Sequence, residues 1–365
     1  MIGIGLVVAV FVALLSMAAG FRLALRTSGT AGNAIVLEKG AFSEVGSSFS
    51  KAAGDWVADD ARVAHGPDGE AVVSPELVAV VALPKRSDAE LTEVGVRGVT
   101  PEAFKLRTGV ALVAGRRVQP GLFEIVVGTQ AQSRIRGLGI GSRISLMRRE
   151  FEVVGVFAAE GSAIKSEIWG DFGAIASAFN RLGTENSLTI RLRDPNLLPA
   201  FDRDLRANLQ YPLTMTDERE YYEDQAGPLV AFLRGLAAFV GVVMGIGAVF
   251  AAMNTMYAIV ANRTREVGAL RALGFSRASV LMTFVLEGLL LAVAGGVLGC
   301  VLGLLMNRMS GSTTTSLGEI SFAFHVTSSE LGYGLLFAAT MGVVGSLLPA
   351  FRAARLPIVS ALRQV

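Results

Sequence analysis

Four stretches of this chain are long and apolar enough to cross a lipid bilayer, and no other feature limits its fold as strongly. Ile2–Phe21 (IGIGLVVAVFVALLSMAAGF) carries no charge. Leu229–Val260 is apolar apart from Arg234, Val280–Met306 apart from Glu287, and Leu331–Phe351 is uncharged throughout. A hydrocarbon core of ~30 Å takes about 20 residues of helix, and all four runs reach that length. Backbone groups in hydrocarbon find no water, so each run must be a helix that satisfies its own hydrogen bonds. Charged residues make up 18% of the chain, below the ~25% of ordinary soluble domains. These features predict a polytopic α-helical membrane protein with four transmembrane helices, at 2–21, 229–260, 280–306 and 331–351.

The first run also ends in small residues, Ser16 to Ala19 before Gly20, like a signal-peptide cleavage site. It opens Met1-Ile2-Gly3, without the basic residues such a peptide carries, and is read as a retained helix. Arginines in the short loops set the orientation. Loop 261–279 holds Arg263, Arg265, Arg271 and Arg277 against Glu266, and the tail 352–365 holds Arg352, Arg355 and Arg363 with no acid. Loop 307–330 has Arg308 against Glu319 and Glu330. The expectation is that 261–279 and 352–365 are cytoplasmic, that 22–228 and 307–330 are extracytoplasmic, and that the chain sits among lipids of the cell (inner or plasma) membrane. Arg22 and Arg26 lie on the wrong side for this rule, and no basic residue precedes the first helix. Either the start is truncated or other segments set the topology.

Segment 22–228 is too long and too mixed to be a linker. Strand-like runs occur at Ala34–Leu37, Val78–Ala82, Ile125–Val127, Arg143–Leu146, Phe151–Phe157 and Ser187–Arg191, with helical stretches at Gln130–Arg136 and Leu197–Leu209. That pattern predicts a large extracytoplasmic α+β domain inserted between the first and second transmembrane helices. The second apolar run holds 32 residues, about 48 Å of helix against ~30 Å of hydrocarbon. With the polar stretch Thr216–Gln225 before it, this reads as a stalk, its acidic residues solvated; helix tilt with an ordinary interface loop is the alternative.

Several chemistries are excluded or unsupported. The single cysteine, Cys300, permits neither an intramolecular disulfide nor a Cys-based metal site, and His65 and His325 are far apart in sequence. The net charge of +2 is too small to point to nucleic acid. Gly137-Leu-Gly139-Ile-Gly141 lacks the G-x-G-x-x-G spacing and is read as a turn, and no G-x-x-x-x-G-K-[ST] occurs. No G-x-S-x-G occurs either. The chain is expected to be non-catalytic, with no cofactor and no metal.

The most informative stretch is Asn262–Ser279, NRTREVGALRALGFSRAS. Val267, Leu270 and Leu273 recur at helical spacing. Gly274 is a helix stop, and Ser276 caps the next helix. A short amphipathic helix between two spans either rests on anionic lipid or docks a cytoplasmic partner. The run R-x-R-E-V-G-A-L-R-A-L-G-x-S-R, followed by an apolar helix with an early Glu287, resembles the coupling region of FtsX/MacB-like ABC transporter permeases, the type VII or mechanotransmission family. IVVGTQAQSRIRGLGIGSRISLMRREFEVVGVF (125–157) and NSLTIRLRDPNLLPAFDRDLRANLQ (186–210) are similar to the family's periplasmic core domain. PAFRAARLPIVSALR (349–363) is similar to its usual ending.

The resemblance implies a permease subunit that passes the ATP-driven motion of a separate cytoplasmic ABC ATPase to the outer domain. The output is export or extraction of a lipoprotein or other lipid-linked substrate; the alternative is an FtsX-like regulator that activates an extracytoplasmic hydrolase. It implies a second permease chain, as homo- or heterodimer, and an extracytoplasmic partner protein or substrate. It assigns ATPase docking to Arg263, Arg265, Glu266, Val267, Leu270, Arg271 and Leu273. Glu287, about two turns into its helix, is an intramembrane polar residue whose charge is costly; it is expected to face protein or pair with a loop arginine. Gly241 with Gly245, and Gly295, Gly299 and Gly303 at i, i+4, i+8, are expected helix-packing faces.

Overall fold

The computed structural model of the chain describes residues 1–159, 163–307, 309–315 and 318–357. Arg308 and the end of the predicted tail, with Arg363, lie outside the described residues. In chain order α1 (Ile2–Arg26) leads to β1 (Asn33–Glu38), β2 (Phe49–Ser50), α2 (Lys51–Ala58), β3 (Val73–Pro84), β4 (Leu91–Val99), α3 (Ala103–Leu106), β5 (Ala111–Gly115), β6 (Glu124–Gly128) and α4 (Thr129–Arg134). Then come β7 (Arg143–Leu146), β8 (Arg149–Ala158), β9 (Ile168–Asp171), α5 (Phe172–Ala178), β10 (Thr184–Glu185), β11 (Ser187–Arg191), α6 (Leu198–Ala207) and β12 (Leu213–Asp217). The last elements are α7 (Glu218–Asn262), α8 (Thr264–Ala272), α9 (Arg277–Leu305), β13 (Ser310–Thr315), β14 (Gly318–Ala323) and α10 (Ser328–Ala354). They form two compact units, a helical one (1–20, 228–309 and from 323 on) and an α+β one (21–227 and 310–322).

In the helical unit, α1, α7, α9 and α10 are long and apolar enough to cross a membrane. Their helices outrun the apolar stretches. α1 continues to Arg26, and α7 is one 45-residue helix from Glu218. Pro228 sits inside α7 and has no N–H to give to the carbonyl four residues back. Glycine decides how the helices approach. A methyl group built on Gly299 would lie 2.5 Å from the Gly5 carbonyl oxygen, one on Gly295 2.8 Å from the Met1 carbonyl oxygen, and one on Gly303 2.8 Å from Val12. The Gly295, Gly299 and Gly303 face of α9 thus receives α1 at backbone distance. Gly241 and Gly245 of α7 seat the Phe337 ring of α10, with Phe11 also against Gly241. A second α9 face, Gly288 and Gly296, meets Ser346 and Ala338 of α10. Sequence spacing alone did not single out that face.

The α+β unit is built on a mixed sheet in the order β12-β1-β11-β3-β4-β9-β6-β8-β5, with β7 also paired to β8. β4 runs parallel to β9 and β6 to β8; the other pairs in this sheet are antiparallel. Successive strand side chains point to opposite faces. Ile125 and Val127 of β6 therefore join one core with Val94, Val96, Phe151 and Ile168. Val126 joins the other with Phe157 and Trp169. A third core, under α2 and α6, gathers Val36, Leu188, Ile190, Phe201, Leu205 and Met215.

Three points refine or correct the reading from sequence. Loop 307–330 contains the β13–β14 hairpin. Gly137 and Gly141 both have φ above +80° in the connection from α4 to β7, as a turn requires. The acidic stretch at 217–224 is not a uniformly solvated face. Glu218, Tyr221 and Tyr222 are buried, and Glu223 pairs with Arg22 and Arg26 of α1. Those two arginines, out of place by the loop-charge rule, have this carboxylate as their partner.

Candidate partner-docking helix

α8 is short because its end is built to stop. The Gly274 N–H bonds the Arg271 carbonyl and the Phe275 N–H the Leu270 carbonyl, with Gly274 at φ +100°. This is a Schellman stop, which glycine adopts without Cβ strain. Two residues later the Ser276 hydroxyl accepts the Ser279 N–H and starts α9. The two caps fix the reversal between α8 and α9.

The reversal encloses a cavity of about 230 Å³. Its apolar wall is Val267, Leu270, Phe275, Val280 and Phe284; Arg263, Glu266, Ser279 and Thr283 line the rest. Leu270 is 41% exposed and Leu273 78%. Arg265 and Glu266 are exposed beside them. Val267, grouped with these residues by periodicity, is 4% exposed and packs with Met256, Val260, Phe284 and Ala353. It supports the helix from below.

Arg271 donates through Nη1 to the Phe275 carbonyl at 3.2 Å, and its buried Nε has no partner among the described residues. Arg263 brings α8 and α9 together, with Nη1 3.1 Å from Glu287 Oε2 and 3.2 Å from Oε1. Phe275, Ser279 and Thr283 were not singled out from sequence. Their only signal was a position within one or two turns of the Gly274–Ser276 reversal.

A second set of groups, also unforeseen, lies in the α+β unit. Alternation along β3 and β4 puts Glu76 and Arg97 on the face opposite Leu77 and Val96. There Arg97 and Arg107 meet Glu44, Glu76, Glu167 and Glu218, all buried. Burial alone would raise the Glu76 carboxyl, but Arg107 and Arg97 hold it below the usual carboxylate range. Burial opposes the charge on Arg97, and Glu167 and Glu44 outweigh it, so the guanidinium stays charged. The sequence signal was faint: a lone charge inside each of two apolar runs, SPELVAVV and VGVRGV.

Residues 238–358 match the model of the FtsX-like permease C-terminal family, and residues 1–208 match the MacB-like periplasmic core domain. The chain belongs to the MacB/FtsX-like permease family. One relative is the macrolide export ATP-binding/permease protein MacB of Bdellovibrio bacteriovorus, 27% identical over 73% of this chain and 43% of its own length. Another is the pyoverdine export ATP-binding/permease protein PvdT of Pseudomonas entomophila, 30% identical over 65% of this chain and 37% of its own length. This permease thus spans less than half of these curated relatives. Among solved structures, the periplasmic region of MacB from Actinobacillus actinomycetemcomitans aligns with TM-score 0.39 and 10% identity, over 53% of this chain and 92% of that one. In this MacB/FtsX-like permease, α8 lies in the matched C-terminal part and β1 to α6 in the core-domain match.

Proposed function

We propose that this permease works as the transmembrane subunit of an ABC transporter, docked through α8 to a separate cytoplasmic ATPase. The observation that carries this reading is the capped α8–α9 reversal, with exposed Leu270 and Leu273 beside a preformed, mostly apolar cavity. Exposed Leu270 at the cavity and exposed Leu273 one turn on suit a partner's apolar knob, and exposed Arg265 and Glu266 suit its polar rim. The arginine excess of loop 261–279 supports a cytoplasmic position, which leaves the α+β unit outside.

ATP binding draws two docked ATPases together. A second permease chain completes the pair, and the motion passes through the helices to the α+β units. Driving an outer unit from 1:99 to 99:1 between two states needs a nucleotide preference of ~5.5 kcal/mol. The relatives named as exporters support an export output. Co-purification tests the docking. Leu270→Asp should abolish association with an ATPase that the tagged wild-type chain brings down from its own membranes, while membrane insertion stays intact. Equal ATPase recovery with the variant would refute it.

A further inference from the structure

We propose that Arg97 and Arg107 form a joint that fixes the first turns of α7 to the α+β unit, so that residues 218–226 move with the sheet. This deepens the transmission reading and rests on it, since a transmitter needs a stiff connection where its helix meets the domain it moves.

The joint gathers four acids from separate parts of the chain: Glu44 after β1, Glu76 in β3, Glu167 before β9 and Glu218 at the first residue of α7. Arg97 uses all five of its N–H bonds on three of them. Nε donates to Glu167 at 2.8 Å, Nη1 to Glu44 at 2.6 Å and Glu76 at 2.5 Å, and Nη2 to Glu44 at 2.9 Å and Glu167 at 2.7 Å. Arg107 links the fourth: Nε donates to Glu218 Oε1 at 3.0 Å, Nη1 to Glu76 at 2.5 Å, and Nη2 to Glu76 at 3.0 Å and Thr189 at 3.1 Å. The other Glu218 oxygen accepts the Thr30 N–H at 3.0 Å and Asn33 Nδ2 at 2.9 Å. One turn on, the Tyr221 hydroxyl accepts the Glu44 N–H at 2.9 Å.

Stability alone does not account for such a cluster. Apolar side chains of similar volume often serve a core as well as buried ion pairs or better. Apolar packing, however, tolerates small slides and rotations, whereas the forked pairs Arg97–Glu44, Arg97–Glu167 and Arg107–Glu76 fix both distance and angle. Glu218 is held in that frame by three converging donors, the Arg107 Nε–H, the Thr30 N–H and Asn33 Nδ2. The anchored turns also end sharply. The α+β unit closes at Gly227, and at the next residue Pro228 interrupts the hydrogen-bond ladder of the helix.

Hydrogen exchange on the full chain, co-purified with its ATPase in nanodiscs, tests the joint. In the wild type, amides 219–226 should exchange within tenfold of β3 and β4. Exchange a hundredfold faster, like an exposed helix end, would overturn the joint. Glu218→Gln keeps the volume but sets an amide N–H₂ against donors. With this variant, the difference in α+β exchange between nucleotide-free and ADP–vanadate-trapped complexes should shrink at least fivefold, with ATP turnover within twofold of wild type. A wild-type response in the variant would overturn the joint and leave the transmission reading standing. No response in the wild type would overturn the transmission reading, and the wild-type exchange of 219–226 would still decide whether the joint exists. Should Glu218→Gln misfold, Arg107→Lys, which keeps the charge and loses the fork, should show the same uncoupling, and an unchanged response there would equally overturn the joint.

Discussion

Arg107 and Glu218 stand 111 residues apart in sequence, yet the Arg107 Nε lies 3.0 Å from Glu218 Oε1 in a site sealed from solvent. Through this pair the first residue of the longest helix is held by the charge network of the sheet.

Removing the hub of that network leaves charges with no water to reach. Arg97→Met takes the guanidinium from Glu44 and Glu167, leaving them the Ser187 hydroxyl and the Trp169 indole N–H, and takes one of three guanidinium bonds from Glu76. Breaking a single buried pair costs about 3–5 kcal/mol, so the α+β unit should melt far lower or fail to fold. Both tryptophans, Trp56 and Trp169, lie in this unit, and their fluorescence in a thermal scan reads its unfolding. A melting point within a few degrees of wild type would count against the assignment.

Glu185 gives the unit a pH dependence. Burial, helped by Asp55 and opposed by Lys51, raises its carboxyl to about 7 from the ordinary 4.5. Its Oε2 is buried without a partner among the described residues. The folded state therefore holds a proton between pH 4.5 and 7 that the unfolded chain releases. This contribution is complete below pH 4.5 and is lost as pH rises to 7, by about 3 kcal/mol at most. Glu185→Gln should flatten that slope in tryptophan-detected melts from pH 4.5 to 8; an unchanged slope would contradict the assignment.

The α1–α9 contact leaves no room for a side chain at Gly299. Even Gly299→Ala sets a methyl group 2.5 Å from the Gly5 carbonyl oxygen, and backbone cannot yield as a side-chain tip does. The cost should be about 1–3 kcal/mol, and more for Gly299→Val. Gly235, with open space around it, is the control. Melting of the detergent-solubilised full chain should separate Gly299→Ala from Gly235→Ala.

The Arg263–Glu287 pair should matter more for position than for stability. Both side chains are partly exposed, and losing the pair is offset by no longer holding the Glu287 charge within a membrane-crossing helix. Glu287→Gln should leave the melting point nearly unchanged and reduce ATPase co-purification, because α8 loses its tie to α9. Unchanged recovery would remove this pair from the docking account.

The spans were legible because bilayer thickness fixes their length and hydrocarbon forbids charge, as in Ile2–Phe21. The α8 stop and α9 cap were legible because Gly274 and Ser276 act on their own neighbours. Strands such as Arg143–Leu146 and Ser187–Arg191 showed in local patterning. β4 and β9 did not, since a strand with Arg97 or Trp169 on one face takes its meaning from distant partners. The burial of Glu218 was illegible for the same reason. A carboxylate in TDEREYYEDQ reads as solvated until Arg107, Asn33 and Thr30 are brought to it by the sheet. Val267 illustrates a narrower limit: helical spacing gives a stripe, and only packing shows which edge of the stripe faces in.

The central claim is that α8 faces the cytoplasm and meets an ATPase there. Leu273 is the exposed residue to test, and Cys300, the only cysteine, can be replaced by alanine. With Leu273→Cys in that background, a membrane-impermeant maleimide should label only after the cells are permeabilised, and bound ATPase should shield the site. Labelling of intact cells from outside would contradict the account.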